Sequence, residues 1–556
     1  MHERDLANFI DNPIGIIEKY GSQKYKQYLL HNVIPEKFSK MHENRILWIH
    51  DLEYYNLTYN CIGIKFNDIP HQNLNNSHQS FDESLRILFR FIVKLTNQQS
   101  GGIGIINFDI DLSTYITTET DEQISYSLKN FLNDINLEVR KGCEMAYVTL
   151  NIGLDTSKNG RRLIENLLNE YLKGDFYGKP FIFPNIAFKI KNGFNLKSND
   201  YNYDLYLKAT KVTSKCMNPT YLNCDSIINK NIDPLKLGIM GCRTLVIDNI
   251  FGEKDSIRRG NISCITINLP QIAMLSTNIE NFLYRLKKVM YNSAKLLEHR
   301  FYGLCNLPTN TFKFLIENKL YLNTEKRNLY DIFKNGTLSI GFIGLWESLE
   351  IILNKKAKSK EFIKDNIQIA EKIIKFMSTY TNYLKGKEKL NFSLIGTSSE
   401  NVSGMFPKND LKKFGKMENI NTKGYYTNSF HIPVEVKVNC FEKISYEGLF
   451  HKYCNGGSIS YVEFKEAPIN NSLGVKELLD YAIKNDCNYI GINFPLDICN
   501  DCGYRGLIND KCKKCNSTNI LRLRRVSGYL SNINNFSYGK MHELDNRTSI
   551  STFDKL

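Results

Sequence analysis

The stretch CNDCGYRGLINDKCKKCNSTNILRLRRVSGYL, residues 499–530, is unlike anything before it in the chain. It holds two CxxC pairs, Cys499/Cys502 and Cys512/Cys515, with nine residues between them. Each pair places two sulfurs on one side of a tight turn, and two facing turns make a tetrahedral four-thiolate site that suits Zn²⁺. Gly503 and Asn516, directly after the pairs, fit the knuckle turns of such a site. A closed four-thiolate site is structural: the metal replaces a hydrophobic core that so short a segment cannot build. Two disulfides, unrelated thiols or an iron–sulfur cluster are the alternatives, and disulfides are disfavoured in a large chain without an export signal. A zinc ribbon serves nucleic-acid binders as well as enzymes, so it settles a local fold and leaves function open.

Upstream the texture differs. Long helical patterns alternate with short apolar runs until about residue 490, where Cys, Gly, Asn and Lys become dense. This places a boundary near Gly491, with a main unit over 1–490, a ribbon over 491–518 and a C-terminal loop over 519–556. Ser80 and Glu83 have capping-box spacing ahead of an apolar stripe at Leu85, Leu88, Ile92 and Leu95. Thr277 and Glu280 open a second helix with Leu283, Leu286, Met290 and Leu297 on one face. Residues 101–106, 147–152, 182–190 and 265–269 read as buried strands. Strands alternating with long helices predict an α/β architecture with parallel pairing, without distinguishing a barrel from an open sheet.

The 556 residues are 42% hydrophobic and 23% charged, enough for a large core and too apolar for global disorder. No run reaches the ~18 apolar residues that span a bilayer. Met1-His2-Glu3-Arg4-Asp5 leads into no apolar signal segment, so a cytoplasmic protein is expected. The net charge of +14 suits polyanionic partners such as nucleotides, as it also suits a Lys-rich solvated surface. The basic residues are dispersed rather than gathered with aromatics on one stripe, which argues against nucleic acid as the partner.

Gly528 admits two readings. In RVSGYL alone it is a turn residue. Alternatively, its Cα carries a radical stabilised by the flanking amides, with no side chain to block a thiol. Taken together, the ribbon, then Arg525-Val526-Ser527-Gly528-Tyr529-Leu530, then Phe536-Ser537-Tyr538-Gly539-Lys540 resemble the C-terminus of the anaerobic (class III) ribonucleoside-triphosphate reductases, a glycyl radical enzyme family. The resemblance continues upstream in order. It takes in Trp48-Ile49-His50-Asp51-Leu52-Glu53 followed by Cys61, then Phe183-Pro184-Asn185, then Met240-Gly241-Cys242-Arg243-Thr244. Next come Thr266-Ile267-Asn268-Leu269-Pro270, the glycine-containing run Ser339 to Leu345, and Tyr426-Thr427-Asn428-Ser429-Phe430-His431. Ser527 stands where the family usually has cysteine; the radical position itself is kept.

The resemblance implies a ten-stranded α/β barrel, a finger loop inside it bearing Cys242, and a small C-terminal zinc ribbon beside the glycyl radical loop. It implies that Gly528 stores the radical, that Cys242 becomes a transient thiyl which takes the 3′ hydrogen of a ribonucleoside triphosphate, and that Cys61 donates hydrogen from the opposite face. Asn268, with Asn261 as its rival, is the expected polar group for orienting substrate or a small reductant. Asn428, Ser429 and His431 are expected substrate contacts. Formate is the implied co-substrate, dNTP or ATP the implied effectors, and a homodimer the implied assembly with a specificity site at its interface. No CxxxCxxC motif occurs, so a separate radical-SAM activating protein is implied. The Cys61 segment arrives too early to leave room for the N-terminal ATP-cone many members carry, so shut-off by dATP through that domain is expected to be absent.

Two rival readings are weaker. Glycyl radical enzymes of the formate-lyase or dehydratase kind generally lack a ribbon beside the glycine. A nucleic-acid-binding ribbon protein leaves MGCRT, TINLP and YTNSFH without a purpose.

Overall fold

The computed structural model describes residues 12–69, 79–140, 145–354, 359–397, 399–526 and 528–548. The first strand, β1 (Leu47–Ile49), is followed by β2 (Ile62–Ile64), β3 (Ile103–Ile105), β4 (Val148–Ile152), β5 (Asn185–Ile190) and β6 (Thr220–Asn223). These last five run parallel and side by side. The helices Phe81–Thr96, Asp121–Ile135, Lys158–Lys173 and Tyr203–Cys216 make the crossovers between them, as parallel pairing demands. A short hairpin, β7 (Ile239–Met240) and β8 (Thr244–Leu245), comes next. Then β9 (Asn261–Asn268), β10 (Thr337–Ile343) and β11 (Phe392–Gly396) form a second parallel set, crossed by the helices Ile279–Cys305 and Lys360–Glu388.

β12 (Ser460–Glu463) and β13 (Tyr489–Asn493) also pair in parallel, and β13 meets β6 antiparallel. The strands thus fall into two sheets, ordered β12-β13-β6-β5-β4-β3-β2 and β1-β9-β10-β11. Sparse backbone contacts join the sheets at both edges rather than a continuous ladder. At one edge the Cys61 N–H donates to the Asn261 carbonyl (3.1 Å) and Gly63 bridges Arg259. At the other, Gly396 N–H donates to Gly457 O (2.9 Å) and Gly456 N–H to Leu394 O (2.8 Å). The central strands are buried along their whole length, which is why they read as apolar runs instead of alternating patterns.

Local chemistry sets the element ends. Ser80 caps its helix through Oγ, which accepts from the Glu83 N–H (3.3 Å). The second expected cap shifts by one residue: the helix Ile279–Cys305 is capped by Asn278, whose Oδ1 accepts from Asn281 N–H (2.9 Å), and not by Thr277. An asparagine caps as well as a threonine, so the register of the first turn decides between them. The strand expected at 265–269 begins at Asn261 and ends at Asn268.

The C-terminal sheet is built from β14 (Leu496–Cys499), β15 (Arg505–Gly506), β16 (Ile520–Arg525) and β17 (Leu530–Asn532), all antiparallel, in the order β15-β14-β16-β17. The boundary expected at Gly491 therefore falls inside β13, which belongs to the main sheet, and the ribbon's own sheet starts at Leu496. That sheet also runs through the divide expected at residue 518, because β16 pairs β14 of the ribbon with β17 beyond Gly528.

Candidate active site

β7 and β8 carry Gly241-Cys242-Arg243 at their tip, and the hairpin lies against β2, β3 and β4. Glycines clear its path. A β-carbon on Gly102 would stand 2.6 Å from Gly241 Cα, and one on Gly104 would stand 2.6 Å from the Ile239 carbonyl. Gly241 itself turns the tip with φ of 58°, a conformation that costs glycine nothing. Two side chains of β4 then hold the hairpin by its backbone. Asn151 accepts from Ile239 N–H (2.7 Å) and donates to Ile239 O (3.0 Å), and Thr149 Oγ1 donates to Gly241 O (2.6 Å).

The C-terminal loop reaches this tip. A β-carbon built on Gly528 would overlap Cys242 Cβ and come within 2.7 Å of its Cα, so only glycine fits against this cysteine. Arg525 anchors the loop: it is buried, its Nη1 donates to Gly528 O (3.2 Å), its Nε donates to Asn493 Oδ1 (2.8 Å), and its Nη2 donates to the Met217 carbonyl. Tyr529 stacks on Phe183 at 5.8 Å and donates its hydroxyl to Glu400 (3.0 Å). The C-terminal helix Tyr538–Asp545 docks on the helix Val402–Phe414 through Gly539 and Gly404, whose Cα atoms leave no room for side chains between them.

A cavity of about 120 Å³ opens beside the tip, and Cys61, Cys242, Asn261, Cys264, Glu400 and Tyr529 are among its walls. Cys61 is positioned by a chain of bonds. Asp51 accepts from Asn60 Nδ2 (2.6 Å) and Ser100 Oγ (2.8 Å), Asn60 Oδ1 accepts from the Cys61 thiol (2.7 Å), and the Gly102 N–H donates to Cys61 Sγ (3.3 Å). Burial pushes this thiol up to about 12, so it keeps its proton at neutral pH.

Of the two candidate asparagines, Asn261 lines the cavity and Asn268 does not. Asn268 is fully buried at the far end of β9. There it caps the helix Leu269–Met274 by accepting from Gln271 N–H (3.1 Å), and it donates to Asp410 (2.9 Å). Asn261 donates to Ser339 Oγ (2.6 Å) and to Thr337. A register shift after Asn261 lets Cys264, three residues on, share the same wall.

Asn428, Ser429 and His431 do not line the cavity. With its amide turned to satisfy both ends, Asn428 accepts from Lys540 Nζ (2.8 Å) and donates to Ser399, tying the C-terminal helix down. His431 Nε2 bonds the Ile459 carbonyl (2.6 Å), and burial lowers its pKa to about 4. Ser429 stands next to Gly396 with φ of 44° and a buried hydroxyl that has no partner. The Gly396 carbonyl accepts from Arg243 Nη1 (3.4 Å), and the buried Arg243 keeps Nε and Nη2 unpaired.

Reading the sequence missed Asn151, Thr149, Cys264 and Glu400. The first two look like ordinary strand residues until the hairpin crosses them. Cys264 needed the register shift to be visible. Glu400 lines the cavity beside Tyr529, which reaches it from the end of the chain.

The four ribbon cysteines come together: their sulfurs lie within 4.8 Å of one another, with Cys499–Cys515 and Cys502–Cys512 each 3.5 Å apart. Zn–S bonds of ~2.3 Å at tetrahedral angles set sulfurs about 3.8 Å apart, so the cluster is compatible with a zinc site. Both knuckles form as expected. Gly503 (φ 71°) N–H donates to Cys499 O and Asn516 (φ 59°) N–H donates to Cys512 O, each at 2.9 Å.

Comparison with known proteins agrees with this geometry. A family model described as anaerobic ribonucleoside-triphosphate reductase matches residues 5–549. The anaerobic ribonucleoside-triphosphate reductase of Haemophilus influenzae is 28% identical, over 94% of this chain and 80% of its own. That of Enterobacteria phage T4 is 27% identical, over 94% and 92%. Among solved structures, the anaerobic ribonucleotide reductase of Thermotoga maritima in complex with dATP and CTP shares the fold with a TM-score of 0.74 at 16% identity, covering 94% of this chain and 91% of that one. No helix among the described residues is long and apolar enough to cross a membrane. With the family model spanning nearly the whole chain, this protein belongs to the anaerobic ribonucleoside-triphosphate reductases.

Proposed function

We propose that Gly528 stores the radical with which this reductase works, and that Cys242 passes it to the ribose. The observation that carries the reading is the packing of Gly528 on Cys242, too close for any side chain. A hydrogen atom moves from the Cys242 thiol to the Gly528 Cα, and the thiyl left behind takes the 3′ hydrogen of the bound ribonucleotide. The 2′-hydroxyl leaves as water once protonated, and Cys61, a thiol that holds its proton, is the donor across the cavity. The protein's part is to hold these centres in line and keep water out.

Two electrons are still needed. Formate, oxidised to carbon dioxide, is the reductant we propose, oriented by Asn261 in preference to Asn268, whose amide is spent on capping and on Asp410. Ser429 and Arg243, both next to Gly396, keep donors without partners, which supports a role for this region toward the anionic part of the substrate. The ribbon cysteines Cys499, Cys502, Cys512 and Cys515 would hold zinc, which supplies a fixed base for the radical loop and no redox chemistry. A radical-SAM activating protein, dNTP or ATP effectors, a homodimer and a cytoplasmic setting complete the proposal.

The test is anaerobic incubation with a radical-SAM activase. A glycine-centred EPR doublet should form in the wild type and be lost in Gly528→Ala. A doublet of normal size in that variant would show that the radical sits elsewhere.

A further inference from the structure

The helices Ile279–Cys305 and Lys360–Glu388, which cross over beside the second sheet, share a face that no step of the reaction uses. On Lys360–Glu388 the residues Lys372, Phe376, Tyr380, Tyr383 and Lys387 recur every three or four positions and so form one stripe. The buried face of that helix is made by others, Ile373, Ile374, Met377 and Leu384 among them. On Ile279–Cys305 the residues Tyr284, Lys287, Lys288 and Tyr291 form a second stripe in the same way. Cation–ring contacts join the two. Lys287 Nζ stands 5.5 Å from the centre of the Tyr380 ring, and Lys387 Nζ stands 5.2 Å from that of Tyr291.

Two properties set this face apart from a solvated helix surface. Its rings form a ladder: Phe376, Tyr380 and Tyr383 follow one another with centroids 6.2 and 5.6 Å apart and planes inclined by only 6° and 16°. Tyr383 is 55% exposed and Tyr284 58%. A single exposed ring is ordinary, whereas a contiguous set marks a surface that something covers. Its charge is also one-sided. Lys287 and Lys288 are set against rings and have no carboxylate partner among the described residues. The acidic groups that border the face are Glu280, one turn before Tyr284, and Glu388, which Lys295 engages at 2.7 Å.

In the sequence these cations fall in two distant segments and read as dispersed. The two crossovers lay them side by side with the aromatic residues, which is the stripe of basic and aromatic groups that a nucleic-acid surface needs. We infer that this ridge binds single-stranded nucleic acid, with bases stacked on the rings and phosphates held by the lysines. None of these residues belongs to the walls of the Cys242 cavity. Every base has a π-face to lay on a ring, so such stacking tolerates any sequence. An acidic peptide would satisfy the lysines and leave the ladder unused. A duplex keeps its bases stacked on one another and cannot offer them.

The experiment is fluorescence anisotropy of the whole enzyme with a labelled oligo(dT) of about 12 nucleotides. ATP and a ribonucleotide substrate are present in excess to fill sites that take mononucleotides. Oligo(dT) should bind more tightly than a duplex of the same length. Tyr284→Ala/Tyr383→Ala should weaken it about 100-fold, roughly 10-fold for each ring. Lys287→Gln/Lys288→Gln should lower the slope of log affinity against log salt by about 1.4, about 0.7 for each charge. Both variants should keep the wild-type melting temperature and form deoxynucleotides at the wild-type rate. Oligo(dT) that fails to bind the wild type, or binds all three proteins alike, overturns the inference. So does oligoglutamate that binds as tightly as oligo(dT) and is unmoved by loss of the rings, which would make the partner an acidic protein. A change of oligomeric state in the ring variant, read by size-exclusion chromatography with light scattering, would also overturn it and assign the face to contact between copies of this chain.

Discussion

Cys242 has little freedom in where it stands. Its backbone is pinned on one side by Gly102 and Thr149 through Gly241, and on the other by Gly528. None of these contacts needs the sulfur, so Cys242→Ala should fold, accept the radical at Gly528 and lose deoxynucleotide formation. EPR and product assays on one anaerobic sample separate the two effects, and deoxynucleotide formed by the variant would remove Cys242 from the reaction. The two asparagines show how residue chemistry and residue place come apart. Asn261 and Asn268 sit on the same strand and look alike in sequence. Asn268 is used up as a helix cap, while Asn261 faces the cavity.

At the scale of elements, the finger hairpin has only two backbone pairs of its own, so its position comes from β4. Asn151 supplies both partners for Ile239. Asn151→Ala leaves a buried N–H and a buried carbonyl unpaired, each costing about 1–3 kcal/mol. We expect a drop of about 2–6 kcal/mol in denaturant-monitored stability and a larger fall in kcat than in nucleotide affinity. Unchanged turnover would mean the glycine track alone holds the finger. The ribbon is the opposite case: with zinc on its four cysteines it would depend on the metal more than on its neighbours. Elemental analysis of anaerobically prepared protein should find a single zinc per chain. Chelation should raise hydrogen exchange across residues 496–532 and leave the helix Phe81–Thr96 protected. Because β16 and β17 flank Gly528, the stripped protein should also fail to hold the glycyl radical.

Across the whole molecule, the burial of two histidines ties stability to pH. Burial lowers His431 to about 4 and His451 to about 3, from an ordinary value of 6.5. The folded chain keeps these imidazoles neutral, while the unfolded chain protonates them below 6.5. Their contribution is fully present above pH 6.5 and is lost as pH falls from there through 4 for His431 and towards 3 for His451. Melting temperature should therefore fall across that window, and fall less steeply in His431→Gln; parallel curves would show that carboxylates alone set the acid limit. The sequence by itself determined the parts whose signal is local. A CxxC pair makes its own knuckle, a serine three residues before a glutamate makes its own cap, and apolar runs between helices make parallel strands. It also carried the ordered motifs that mark the family, Gly528 and Cys242 among them. Only the tertiary structure decided which glycine meets which cysteine across 286 residues, which asparagine faces the cavity, and where the ribbon begins. The reason is physical: those outcomes depend on close backbone approaches and strand register between distant segments, and neither leaves a periodic or compositional trace in the chain.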